Sequence, residues 1–165
     1  MEKIRHPIPP VFDGNSKILI LGSFPSVKSR EEGFFYGHPQ NRFWRVLGAV
    51  FDDTVPQSIE EKKAFLLKHN VALWDVIKEC EITGSADSSI KNAVPNDICK
   101  ILENSKISRI FTNGKTADRL YGEYLESKTG IRAVCLPSTS PANAVWTLEK
   151  LVKKWKNELL CGCDI

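Results

Sequence analysis

No stretch of this 165-residue sequence approaches the roughly 20 consecutive apolar residues that a membrane-spanning helix needs. Its first residues carry no basic n-region followed by an apolar run, so no export signal is read there and the cytoplasm is the expected compartment. Cysteine is sparse and odd in number, five in all: Cys80, Cys99, Cys135, Cys161 and Cys163. Only Cys161 and Cys163 stand close together, and a lone C-x-C lacks the second ligand pair of a zinc or iron-sulfur site, so no metal is expected. Most of the others sit in apolar runs such as Ala133-Val134-Cys135-Leu136 and read as free thiols of a reducing compartment. Charge of one sign is also scarce. With 23 Lys and Arg against 20 Asp and Glu, the net charge of +3 permits a polyanionic partner without demanding one. Internal repeats and low-complexity tracts are absent, and the length suits one domain over 1–165 with a frayed tail at 161–165.

What is present is an alternation of short apolar runs with helix-period segments. Lys17 to Leu21, Arg109 to Phe111 and Ala133 to Leu136 read as strands buried on both faces, and Val71 to Trp74 is a weaker fourth. The spacing of Phe43, Val46, Leu47, Val50 and Phe51 predicts an amphipathic helix, as does that of Ala117, Leu120, Tyr121, Tyr124 and Leu125 and that of Leu148, Leu151, Val152, Trp155 and Leu159. Ser58 with Glu61 forms a capping box before Phe65 and Leu66, and Asn96 is the expected cap of the segment carrying Ile98, Ile101 and Leu102. The order β, α, α, β, α, β, α, β, α gives a parallel sheet between helical layers, because parallel neighbours need crossovers that land on the faces. Residues 1–15, with three prolines, are expected to form an irregular arm, and Gly84 to Pro95 a polar loop.

In such folds ligands bind beyond the carboxyl ends of the strands. Three unusual segments fall there. In G-S-F-P-S, Gly22 to Ser26, the glycine and Pro25 make a tight turn that frees the N–H groups near Ser23 to donate. An ordinary strand-ending turn would look the same. The run F-F-Y-G-H-P-Q-N-R-F-W, Phe34 to Trp44, offers Tyr36 as a flat wall for a base and Asn41 as a polar group able to hold water. His38 and Asn41 also read as braces of the helix start, and Phe43 and Trp44 as core. In L-P-S-T-S-P-A-N-A, Leu136 to Ala144, the hydroxyls of Ser138, Thr139 and Ser140 can hold a phosphate or cap the next helix.

In this order the three segments resemble the uracil-DNA glycosylase superfamily, with similarity running from about Lys17 to Trp155. G-S-F-P-S stands for its first motif, H-P-Q-N-R-F-W follows as in the mismatch-specific branch, and L-P-S-T-S-P-A-N-A stands for the second motif. W-D-V-I, Trp74 to Ile77, and G-S-A-D-S-S-I, Gly84 to Ile90, are most similar to the deoxyinosine, or hypoxanthine-DNA, glycosylase branch. The resemblance implies a three-layer α/β/α sandwich around a four-stranded parallel sheet. It also implies a monofunctional, cofactor-free monomer that excises a deaminated base from double-stranded DNA.

One departure bears on the substrate. Where uracil-removing branches place a water-orienting Asn or Asp, this sequence has Phe24, which holds no water. The resemblance therefore points to Asn41 as the catalytic residue. The base is expected among Gly22, Ser23, Phe24, Tyr36, His38, Asp75 and Asn113, and the DNA backbone on Ser26, Lys115, Ser138, Thr139 and Ser140. Asp75 falls where the superfamily often has a base-reading Asn, and a carboxylate there accepts the N1–H of hypoxanthine; capping of the next turn is an equal reading. Asn113 donates to the base or braces its turn. Two alternatives stand beside this: a mismatch-specific uracil or thymine glycosylase working through Asn41, and a nucleic-acid-binding module that kept the fold but lost its chemistry.

Overall fold

The computed structural model describes residues 2–160, so the tail expected at 161–165 lies outside the described residues. In chain order the first half contains β1 (Glu2–Arg5), β2 (Ile18–Gly22), α1 (Val27–Glu32), α2 (Phe43–Val50), α3 (Ile59–Lys68), β3 (Val71–Asp75) and β4 (Ile77–Ile82). A 3-10 turn (Asp87–Ser89) and β5 (Lys91–Pro95) follow. The second half contains α4 (Ile98–Glu103), β6 (Arg109–Asn113), α5 (Lys115–Tyr124), α6 (Glu126–Thr129), β7 (Val134–Leu136) and α7 (Leu148–Leu160). No helix among them is long and apolar enough to cross a membrane.

The four strands read from the sequence form one parallel sheet in the order β3-β2-β6-β7. Its centre is β2, buried at every position. Successive side chains of β2 point to opposite faces, as the pleat requires. Ile18 and Ile20 join Phe43, Leu47, Phe65 and Trp155 on one side, whereas Leu19 and Leu21 join Ile98, Ile101, Leu120 and Tyr121 on the other. Helices α2, α3 and α7 thus cover one face, and α4 and α5 the other, which is the three-layer arrangement. Truncating a side chain as deeply buried as Trp155 costs about 3–5 kcal/mol.

Helix ends follow the local chemistry. Ser58 and Glu61 form the reciprocal capping box of α3. At α4 the cap is Asp97, whose carboxylate accepts the Lys100 N–H, and not Asn96 as expected. Asn96 is buried and donates instead to the carbonyls of Asp75 at 2.9 Å and Ile77 at 3.1 Å. It therefore pins the corner between β3 and β4.

Two further expectations are corrected. The arm over residues 1–15 is not wholly irregular: β1 pairs antiparallel with β4, and Val11 bridges to Leu73. The segment Gly84 to Pro95 is not only a loop, since β5 pairs antiparallel with β4 and completes a second sheet, β1-β4-β5. Main-chain pairing creates these strands, and their few apolar residues leave no period to read. The second sheet packs Ile4, Cys80, Ile82 and Ala93 against the α4–α5 side of the core.

Candidate active site

Gly22, Asp75, Asn113 and Leu136 are the last residues of the four parallel strands, and all four line one cleft of about 1040 Å³. Every residue singled out for a site in the sequence also borders this cleft. They differ in what their polar atoms already do.

The floor is built around Asp75. Its Oδ2 lies 2.7 Å from Nε2 of His6, and the two side chains are only 5% and 2% exposed. His6 Nδ1 accepts the Ile8 N–H at 3.1 Å, so the ring proton must sit on Nε2, which donates to Asp75. The imidazole is boxed by Phe24, Phe35 and Trp74. Gly22 makes room for this arrangement: a Cβ there would lie 2.4 Å from Asp75 Oδ1 and 2.9 Å from the Tyr36 hydroxyl. Neither distance is tolerable, so the first motif needs its glycine on steric grounds.

Tyr36 is held at φ 53°, a region that L-residues rarely occupy, with its ring stacked 4.0 Å from that of Phe43. Its hydroxyl is buried without a hydrogen-bond partner among the described residues. Burial, and then the charge of Asp75, push this phenol far above its usual range, with the nearby Asn113 amide acting in the opposite direction. Phe24 is also buried, edge-on to His6, with the Arg30 guanidinium 5.6 Å from its ring centre.

A directional chain of hydrogen bonds crosses the cleft wall. The Thr139 N–H donates to Asn113 Oδ1 at 3.1 Å, Asn113 Nδ2 donates to Thr139 Oγ1 at 3.0 Å, and the Thr139 hydroxyl donates to Asn41 Oδ1 at 2.9 Å. Asn41 Oδ1 also accepts the Phe43 N–H at 3.0 Å. Asn41 therefore braces the start of α2 through Oδ1, and its Nδ2 makes no hydrogen bond among the described residues. Thr139 is corrected, because its side chain is fully buried and its hydroxyl is committed between two amides, away from any phosphate.

The other hydroxyls divide similarly. Ser138 Oγ accepts the Ser140 N–H and Ser140 Oγ accepts the Ala142 N–H, which leaves both O–H protons able to donate outward. Ser26 accepts the Ser29 N–H and donates to Ser29 Oγ, so it is committed as the cap of α1 and not free for the DNA backbone. The Lys115 side chain is exposed at the rim, and its ammonium group makes no hydrogen bond or ion pair among the described residues. His38 is likewise exposed at the rim, where Nδ1 accepts the Gln40 N–H. It is the one expected base neighbour that stands away from the floor.

Three residues of this site escaped the sequence reading. His6 lies in the supposed irregular arm. Arg42 reaches across the chain to donate to the carbonyls of Ser140 at 2.8 Å, Asn143 at 3.2 Å and Trp146, holding the hydroxyl loop in shape. Asp87 accepts the Ser23 hydroxyl at 3.0 Å; burial raises its carboxyl above the usual range, against the lowering by Ser23 and with a further rise from Asp75.

The chain has counterparts among known proteins in both sequence and fold. The family model of the Uracil DNA glycosylase superfamily matches residues 9–160. A "Hypoxanthine DNA glycosylase" of Methanosarcina acetivorans is 40% identical over 144 residues, covering 85% of this chain and 89% of that protein. Its namesake in Methanosarcina barkeri is 34% identical over 139 residues, covering 82% and 85%. A solution NMR structure from Methanosarcina acetivorans, named for uracil DNA glycosylase, superposes with a TM-score of 0.79 at 34% identity and covers 92% of this chain and 94% of its own.

Proposed function

The chain belongs to the uracil DNA glycosylase superfamily, and we propose that it excises hypoxanthine from DNA by hydrolysing the N-glycosidic bond, leaving an abasic site. It is a DNA glycosylase whose substrate is DNA carrying a damaged base. The observation that carries the preference for a deaminated base over adenine or cytosine is the carboxylate of Asp75 at the cleft floor, an acceptor suited to the ring N–H that their deamination creates, and Phe24 in the first motif favours hypoxanthine over uracil.

The nucleotide is flipped out of a duplex, at a cost of a few kcal/mol that is least at a mismatch, and its base lies against Tyr36 and Phe24. Phe43 backs the Tyr36 ring, which makes the wall rigid. As the bond to the base lengthens, electron density moves into the purine and the sugar gains oxocarbenium character. The N–H groups near Gly22 and Ser23 stabilise the leaving base, since fixed donors in a dry pocket need no reorganisation. Water then bonds to the sugar carbon and gives up a proton, which balances the charge of the departing base. With Oδ1 held by Phe43 and Thr139, Asn41 offers Nδ2–H to this water and fixes its place without taking its proton. Asn113 acts mainly as the brace that fixes Thr139.

Ser138, Ser140 and Lys115 are the backbone contacts in this reading. Among the described residues the lysines that line the cleft are Lys115 and Lys154, at its border, and Lys154 is paired with Glu158, which supports hydrolysis without Schiff-base chemistry. The enzyme is accordingly monofunctional. It works as a single-domain monomer in the cytoplasm. The test is incubation with a hypoxanthine-containing duplex: strand breaks should form only after alkali. Breaks without alkali would indicate lyase chemistry, and none with alkali would indicate a binding module without catalysis.

A further inference from the structure

We propose that His6 is a specificity-positioning residue that fixes the polarity of the base-reading edge. The inference rests on the reading above, in which Asp75 faces the flipped base. The Ile8 N–H at Nδ1 leaves His6 only one proton to give, from Nε2 to Asp75 Oδ2. His6 can therefore donate to residue 75 but cannot accept from it. Asp75 in turn keeps Oδ1 beside Gly22 without a hydrogen-bond partner among the described residues, and the one donor near it is the unpartnered Tyr36 hydroxyl, which leaves a second lone pair of Oδ1 to a bound base.

The imidazole cannot reorient to change this. The His6 N–H bonds to the Lys78 carbonyl at 2.7 Å, and Trp74 Nε1 donates to the Ile8 carbonyl at 3.0 Å, so strand β1 and the segment after it hold the ring on both sides. Phe24, Phe35 and Trp74 fill the space that another rotamer would need. The segment that matches the superfamily begins at residue 9, so His6 stands outside it.

Deamination of adenine or cytosine changes one ring position from a lone pair to an N–H. Adenine and cytosine bring a lone pair to the Watson–Crick edge, and a fixed carboxylate repels it. Hypoxanthine, xanthine and uracil bring an N–H there, which the carboxylate accepts. The pair His6–Asp75 thus excludes adenine and cytosine by charge and hydrogen-bond polarity, while wall residues such as Phe24 are left to choose among the bases that carry an N–H at that edge.

A substitution that keeps the shape exposes the role of His6. In Asp75→Asn the amide oxygen must turn to His6 Nε2–H, which places the NH₂ group in the cleft and reverses the edge. The experiment measures affinity for duplexes carrying uncleavable 2′-fluoro-deoxyinosine or 2′-fluoro-deoxyadenosine opposite thymine. The parent is expected to prefer the inosine duplex. Asp75→Asn should lose inosine affinity by about 10²-fold and bind the adenosine duplex at least as well. In Asp75→Asn with His6→Phe the ring volume is kept and the donor removed, so the amide is free to rotate. Inosine affinity should then recover about 10-fold over Asp75→Asn alone. A parent without preference would overturn the placement of Asp75 at the base, and with it the reading above. A parent that prefers inosine while Asp75→Asn keeps that preference, or a folded double variant no better than Asp75→Asn, would overturn the role of His6 alone. Should the Phe variant not fold, the Asp75→Asn result decides by itself, because an unlocked amide would bind both duplexes about equally.

Discussion

The Thr139 hydroxyl donates to the carboxamide oxygen of Asn41 at 2.9 Å, across 98 residues of chain. Asn113 sets the direction of this bond by donating to the same hydroxyl, so Asn41 has one stable orientation. Asn41→Ala should lower the single-turnover excision rate on the order of 10²-fold or more, with duplex affinity little changed. Because Oδ1 also caps the Phe43 N–H, the variant should lose roughly 1 kcal/mol of stability in a thermal or urea melt. Excision at the parent rate would place Asn41 outside the reacting centre and leave it only as a cap.

Gly22→Ala adds a single methyl group where Asp75 Oδ1 and the Tyr36 hydroxyl already converge. Both side chains belong to the floor and neither can retreat into solvent. The variant should keep its fold while losing most of its excision activity, and affinity for an abasic duplex, which lacks the base, should change far less. Equal loss toward both duplexes would point to general misfolding.

Parts of this site were legible in the sequence because they are local. The apolar runs ending in Gly22, Asn113 and Leu136 locate three strand ends, and the glycine, proline and hydroxyl residues after them mark the loops of the cleft. The second sheet was not legible. Strand β1 has one apolar residue that packs on the core, Ile4, and its partner β4 is nearly eighty residues on, with Glu2 opposite Ile82. His6 was missed for the same reason: its partner Asp75 is 69 residues away, and a lone histidine among prolines carries no period or spacing. Arg42 sits inside a motif that was noticed, but its acceptors are main-chain carbonyls, which have no signature in a sequence.

In the proposed DNA contact the charge of Lys115 makes binding dependent on salt, whereas the neutral hydroxyls of Ser138 and Ser140 add hydrogen bonds without releasing counterions. The log-log slope of affinity against salt should be about −0.9 per neutralised phosphate, and Lys115→Ala should make it shallower by about that amount. With a net charge of only +3, a handful of phosphates is expected. A slope unchanged in Lys115→Ala would remove Lys115 from the backbone contacts.

Asp87 gives a pH dependence of definite sign. Burial raises its carboxyl in the folded protein, so the folded state holds this proton more tightly than the unfolded chain. That contribution to stability is present below the ordinary carboxylate range and is lost as pH rises through the raised value. Asp87→Asn has no such loss and can still accept the Ser23 hydroxyl. Compared by thermal melting, it should equal or exceed the parent at pH 8, with its advantage shrinking toward pH 4. The account of Asp87 would be wrong if the parent gained stability over the variant as pH rose.

The most direct test of the functional account is the order in which damaged bases are removed. Duplexes that differ only in carrying hypoxanthine, uracil, xanthine or thymine at one position are incubated with the protein under single-turnover conditions and cleaved with alkali. Asp75 accepts the ring N–H of each of them, whereas Phe24 leaves no residue at the post that holds water for uracil removal, so hypoxanthine should be excised well ahead of uracil. Uracil released faster than hypoxanthine would contradict the account and assign the protein to mismatch uracil or thymine repair.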